Sequence, residues 1–127
     1  MAGELRSKWI TAYTKLLIDL ANGRMAVRAA KALGTDGSAR YLIPGGNENG
    51  AGPLAAPTSA ADYDLAADNI AIDWLVTSRR FTSGPEPVFA YVAAREQEVK
   101  LIRLIVLGHL SGVPAARITE RVSRIYA

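Results

Sequence analysis

Cysteine is absent from all 127 residues, and histidine occurs once, at position 109. Without thiols the chain has no disulfide framework, no thiolate zinc site and no cysteine nucleophile, so hydrophobic packing must hold the fold together. A single histidine cannot form the His-x3-His pair of a helical metal site. Long apolar runs are lacking as well. Half the residues are hydrophobic, yet no run approaches the ~20 apolar residues that a membrane-spanning helix requires. The densest run, from Leu101 to Leu110, already contains Arg103 and His109. The opening Met1-Ala-Gly-Glu-Leu-Arg-Ser-Lys-Trp9 has no apolar h-region or small-residue cleavage site, which predicts a cytoplasmic protein. There is no block of one charge either: fifteen Lys and Arg are interspersed with twelve Asp and Glu, for a net charge of +3. The pI near 9.4 favours anionic partners and permits nucleic acid without indicating it.

What is present is helical periodicity. Trp9, Tyr13, Leu16, Leu17, Leu20, Met25 and Val27 recur at three- and four-residue steps and predict a first helix from Leu5 to Leu33, with Gly34 as a left-handed cap. Residues Asp36 to Arg40 are candidates for a short second helix. From Asn47 to Ser59 the chain is dominated by Asn, Gly, Ala and Pro and has no periodicity, which predicts a loop. Ser59 is placed to cap a helix running to about Arg79, with Tyr63, Ala66, Ile70, Trp74 and Leu75 on one side and Asp62 and Asp64 in its first turn. Pro85-Glu-Pro87 opens the longest helix, roughly Pro85 to Leu110, which Ser111-Gly112 ends. Pro114 then starts a terminal helix carrying Ile118, Val122 and Ile125. No alternating segment bounded by hairpin turns reads as a strand. The expectation is an all-α compact bundle of four to five helices, a single domain with helical parts at 1–46 and 61–127 joined by a flexible linker at 47–60.

The candidate chemistry is sparse. His109 sits at a helix C-terminus, where a cation is favoured without any catalytic role. Glu96 and Glu98 lie about 200° apart around a helix and cannot converge on one substrate. Glu96 and Lys100 have the four-residue spacing of an ion pair. Asp19 with Arg24 and Arg28 suggests an anion site, but interhelix or exposed salt bridging is the commoner use of such residues. The glycines and asparagines of 45–52 lack the Gly-x4-Gly-Lys-Ser/Thr pattern of a phosphate loop and follow no strand. No nucleophile, base and orienting group occur in a known arrangement, and no catalytic residue, cofactor site or metal site is expected.

Two stretches carry a resemblance. One is Leu16-Leu-Ile-Asp-Leu-Ala-Asn22 through Arg24-Met-Ala-Val-Arg-Ala-Ala30, followed by Leu42-Ile-Pro-Gly-Gly46. The other is Gly84-Pro-Glu-Pro-Val-Phe-Ala-Tyr91 running into Arg95-Glu-Gln-Glu-Val-Lys-Leu-Ile-Arg103, continued by Gly108-His-Leu-Ser-Gly-Val-Pro114 and Ile118-Thr-Glu-Arg-Val122. Together they resemble the subunit called C in prokaryotic V/A-type rotary ATPases and d in the vacuolar enzyme. The resemblance implies a non-catalytic, helical socket of similar lobes, peripheral on the cytoplasmic face of the membrane. There it would receive the central stalk on the proteolipid ring of a proton- or sodium-translocating enzyme. It implies no small-molecule substrate and no cofactor. Family members are much longer, with another lobe where residues 47–60 stand here, so the chain corresponds to about one lobe. Arg24, Arg28, Arg95, Glu96, Glu98 and Arg103 are the polar positions expected to build the lobe or contact a partner. A homo-oligomer formed by helix swapping across the long connection is a further expectation. From a different class, a free-standing helical protein-protein adaptor or a weak nucleic-acid-binding domain also fits the composition.

Overall fold

The computed structural model describes residues 7–33, 42–47 and 59–123. Among these the chain is all-α, with helices α1 (Lys8–Leu33), α2 (Ala60–Val76), α3 (Pro85–Leu110) and α4 (Ala115–Thr119), and a 3-10 turn at Thr77–Arg80 after α2. No strand is present among the described residues. The expected helix at 36–40, the Gly34 cap, most of the 47–59 loop and Ile125 lie outside them. The chain divides into two compact units, Met1–Ala67 and Asp68–Ala127.

In the first unit, α1 starts at Lys8, beyond the expected Leu5, because Ser7 caps it: the Ile10 amide donates to Ser7 Oγ at 3.4 Å. Trp9 stacks on Tyr13, with ring centroids 6.0 Å apart, and Tyr13, Leu20 and Ala29 are buried. Leu17 and Met25, expected on the same face, stand exposed because polar Asp19 and Asn22 take part of the inward surface. At the start of α2, Ser59 caps as expected, its Oγ accepting the Asp62 amide at 3.1 Å. Tyr63, one turn further on, is almost completely buried and donates its hydroxyl to the Leu20 carbonyl of α1 at 3.2 Å. Gly23 makes that approach possible: a Cβ there would lie 1.8 Å from the Tyr63 hydroxyl oxygen. The helix-weakening residue in the middle of α1 is thus the place where a tyrosine crosses it.

In the second unit, Ala71, Ile72 and Leu75 of α2 and Ala90, Ala94 and Leu101 of α3 are buried. Thr77 Oγ1 bonds the Trp74 carbonyl at 2.6 Å, and α2 tightens into the 3-10 turn before reaching Arg79. The turn packs on α3. The bounds of α3 agree with the sequence reading. It ends in paired bonds, Val113 N–H to the Gly108 carbonyl at 3.0 Å and Gly112 N–H to the His109 carbonyl at 3.1 Å. Gly112 has φ +72° there, the left-handed conformation of a Schellman motif. Pro114 occupies the N-cap of α4 and not its first helical position. The helix closes at Thr119, so Val122, expected within it, lies beyond its end. The short α4 folds back so that Ile118 is buried against Gly108, where a Cβ would meet Ile118 Cδ1 at 2.9 Å.

Gly23→Ala is expected to lower stability by about 1–3 kcal/mol through overpacking against immobile Tyr63, outweighing the ~1 kcal/mol that alanine gains in helix preference. Thermal melting followed by circular dichroism checks it, and an unchanged or raised midpoint would contradict the Gly23–Tyr63 crossing.

Candidate functional site

Polar side chains gather at two places, one in each unit. In the first, Asp19 and Asn22 of α1 are buried despite being polar. Asn22 acts like a strand neighbour for residue 43: its Nδ2 donates to the Ile43 carbonyl at 2.9 Å, and its Oδ1 accepts the Ile43 amide at 2.7 Å. Asp19 Oδ2 accepts the Asn47 amide at 3.1 Å. The Leu-Ile-Asp-Leu-Ala-Asn and Leu-Ile-Pro-Gly-Gly motifs are therefore one constellation, in which the helix supplies hydrogen bonds that an irregular segment cannot make for itself.

One turn along, Arg24 and Arg28 meet Asp64 of α2. Arg24 Nε lies 2.5 Å from Asp64 Oδ1, and Arg28 Nη2 lies 3.5 Å from Oδ2. Of the two readings, an anion site with Asp19 or salt bridging, the structure has interhelix salt bridging: Asp64 bridges both guanidinium groups because it sits on the helix crossing at Gly23. Burial pushes the Tyr63 phenol above its ordinary pKa, opposed by the positive charge of Arg24 and reinforced by Asp64 and Asp19. Ala21, Asn22, Arg24, Met25, Arg28 and Ile43 surround a hollow of about 200 Å³.

In the second unit, α3 carries the other four sequence-chosen residues. Arg95 donates to the Tyr91 hydroxyl at 3.1 Å and pairs with Glu98 at 2.7 Å. Its guanidinium lies over the Tyr91 ring, 5.4 Å from the centroid. These bonds, that to Tyr91 first, raise the Arg95 pKa. Lys100 is paired with Asp68 of α2 at 2.7 Å and not with Glu96 as its spacing suggested. An acid less than a fifth exposed is a better partner than a solvated one on the same helix. Glu96 and Arg103 are exposed and form no ion pair among the described residues. His109 lies in the last turn of α3. Sequence reasoning passed over Asn22, Asp64 and Asp68 as partners because nothing in local spacing shows which residue of another segment a side chain meets.

Among the described residues no three His, Asp or Glu side chains gather as metal ligands, and no helix is long and apolar enough to cross a membrane. The described helices are joined by charged and amide contacts, with polar and apolar residues facing outward. The family model of the ATP synthase (C/AC39) subunit matches residues 47–121, more than half the chain and all of α2, α3 and α4. The chain belongs to that family, whose members are non-catalytic subunits of rotary ATPases. The Gly84–Val122 stretch lies almost wholly inside the match, and the Leu16–Gly46 stretch precedes it. No curated protein and no solved structure matches the chain significantly.

Replacing Asn22 with Ala strands both polar groups of Ile43 and is expected to cost about 1–3 kcal/mol, with faster amide exchange at Ile43. Exchange at wild-type rate would show that the segment is held by something else. Because the folded-state pKa of Tyr63 is raised, its contribution to stability is complete below about pH 10 and is lost as pH climbs through the folded value. Tyr63→Phe should flatten this alkaline loss relative to wild type in melts run between neutral pH and the alkaline limit. Equal alkaline slopes would contradict the burial of a neutral phenol.

Proposed function

We propose that this chain is the coupling subunit, or one lobe of it, that joins the central stalk to the membrane proteolipid ring of a proton- or sodium-translocating V/A-type ATPase or ATP synthase. It works on the cytoplasmic face of the membrane through protein contacts and is not itself an enzyme. The observation that carries this reading is the family match across α2, α3 and α4. The surface is in keeping with it, since an apolar face bearing charged residues suits a subunit held between proteins better than one free in solution.

The six polar positions divide under this reading. Arg24 and Arg28 brace α1 on α2 through Asp64, and Arg95 with Glu98 stiffens α3, so these four serve lobe architecture. Glu96 and Arg103 are left to face another protein. A torque-bearing element needs rigidity more than chemistry, and the Arg24 and Arg28 bridges to Asp64 favour one arrangement of α1 and α2.

Affinity capture of the tagged chain from detergent-solubilised membranes of its own cells, read by mass spectrometry, is expected to recover central-stalk or proteolipid subunits. Capture of unrelated proteins alone by a folded, helical chain would favour the free-standing adaptor instead.

A further inference from the structure

α3 is apolar on two opposite faces. One, with Ala90, Ala94 and Leu101, is buried. On the other, Val88, Val92, Val99, Ile102 and Val106 are 66, 53, 56, 61 and 50% exposed. With Arg95 filling the gap between Val92 and Val99, these positions alternate four- and three-residue steps. That is the 3.5-residue repeat of a coiled-coil seam, a stripe ~80° wide and ~27 Å long within a broader exposed apolar surface that also includes Tyr91, Ile105, Leu107 and Leu110. Val92, Val99 and Val106 occupy one core position of the heptad, and Val88, Arg95, Ile102 and His109 the other. Glu96 and Arg103, one heptad apart, flank the seam on the same side.

A helix carrying this pattern could pair with a copy of itself in either direction, and its charges choose between them. A parallel pair sets Arg95 against Arg95 in the core, where like charges repel. An antiparallel pair centred between Val99 and Ile102 removes that clash. Val99 faces Ile102, and Arg95 faces Val106, with its stem along the valine and its head held at the edge of the seam by Tyr91 and Glu98. Glu96 of each copy then lies beside Arg103 of the other, so the two charges left without an ion pair among the described residues complete one another twice. The surface is self-complementary about a two-fold axis, as an isologous dimer requires.

We propose that the open face of α3 binds the same face of a second copy of this chain, antiparallel, with Val99 against Ile102 and Glu96 against Arg103. The proposal stands on α3 alone and does not rest on the coupling role above.

The test is made on the purified chain, so its result is separate from that of membrane capture. In sedimentation equilibrium the mass should rise with concentration from 13.6 kDa to twice that value and no further. Glu96→Arg, or equally Arg103→Glu, should weaken the dimer at least ~tenfold by setting like charges together, and combining the two should restore it. Both positions are exposed, and circular dichroism checks that helicity is kept. Because the chain has no cysteine of its own, Val92→Cys mixed with His109→Cys reports direction: antiparallel pairing cross-links the two to each other faster than either to itself. A mass of 13.6 kDa at every concentration would overturn the proposal. So would a dimer indifferent to both charge reversals, or preferential Val92–Val92 cross-linking.

Discussion

The helix α3 is apolar over more of its circumference than one contact face can cover, and the rest of its unit answers that constraint only on one side. Burying Ala90, Ala94 and Leu101 takes the 3-10 turn after α2 and the folded-back α4, each of which depends on a local device. The turn forms where α2 tightens past Trp74, with Ser78 buried in it. The fold-back of α4 needs the Schellman ending at Gly112 and the missing side chain at Gly108. The small side chains Ala90 and Ala94 allow close packing, and Lys100 is tied to Asp68 at the edge of that face. The opposite face keeps its valines and isoleucine in water. Exposed apolar surface of this extent is a cost for an isolated domain and an asset for a subunit.

The first unit solves a different problem. An irregular segment, Leu42 to Asn47, lies beside α1, and its backbone groups need partners. Asn22 and Asp19 supply them from within a helix, which is why these polar residues are buried while apolar Leu17 and Met25 are not. The crossing of Tyr63 at Gly23 brings Asp64 to Arg24 and Arg28, so one absent methyl group sets the position of the charged cluster.

Much of this architecture was legible in the sequence where the signal is local. Pro85-Glu-Pro87 and Ser111-Gly112 bracket α3, and Ser59 with Asp62 marks the start of α2, because capping depends on residues a turn apart. The all-α class followed from periodicity, and the family from motifs whose order and spacing survive in this chain. Illegible were the partners. Lys100 has Glu96 at ion-pair spacing yet bonds Asp68, and the salt bridging expected of Arg24 and Arg28 needed Asp64, a partner that no spacing on α1 names. Solvent exposure and the approach of a second segment decide such pairings, and neither is written in a helical period. On α1 the inward face was read correctly at Tyr13 and Leu20 and missed at Leu17 and Met25, since a count of apolar residues gives no weight to an asparagine that bonds a distant backbone. For the six chosen polar residues, the sequence supplied the elements that carry them, and the structure supplied their neighbours.

The chain belongs to a rotary-ATPase subunit family, and the role proposed for it is to couple stalk to ring. The most direct test is native electrophoresis of membranes from the source cells after mild detergent extraction, with the chain detected by antibody and the co-migrating proteins sequenced. The account predicts that the chain runs in a high-mass band together with proteolipid and central-stalk subunits. A chain found only at its own mass or that of a small oligomer, while those subunits run elsewhere as an assembled complex, would contradict it.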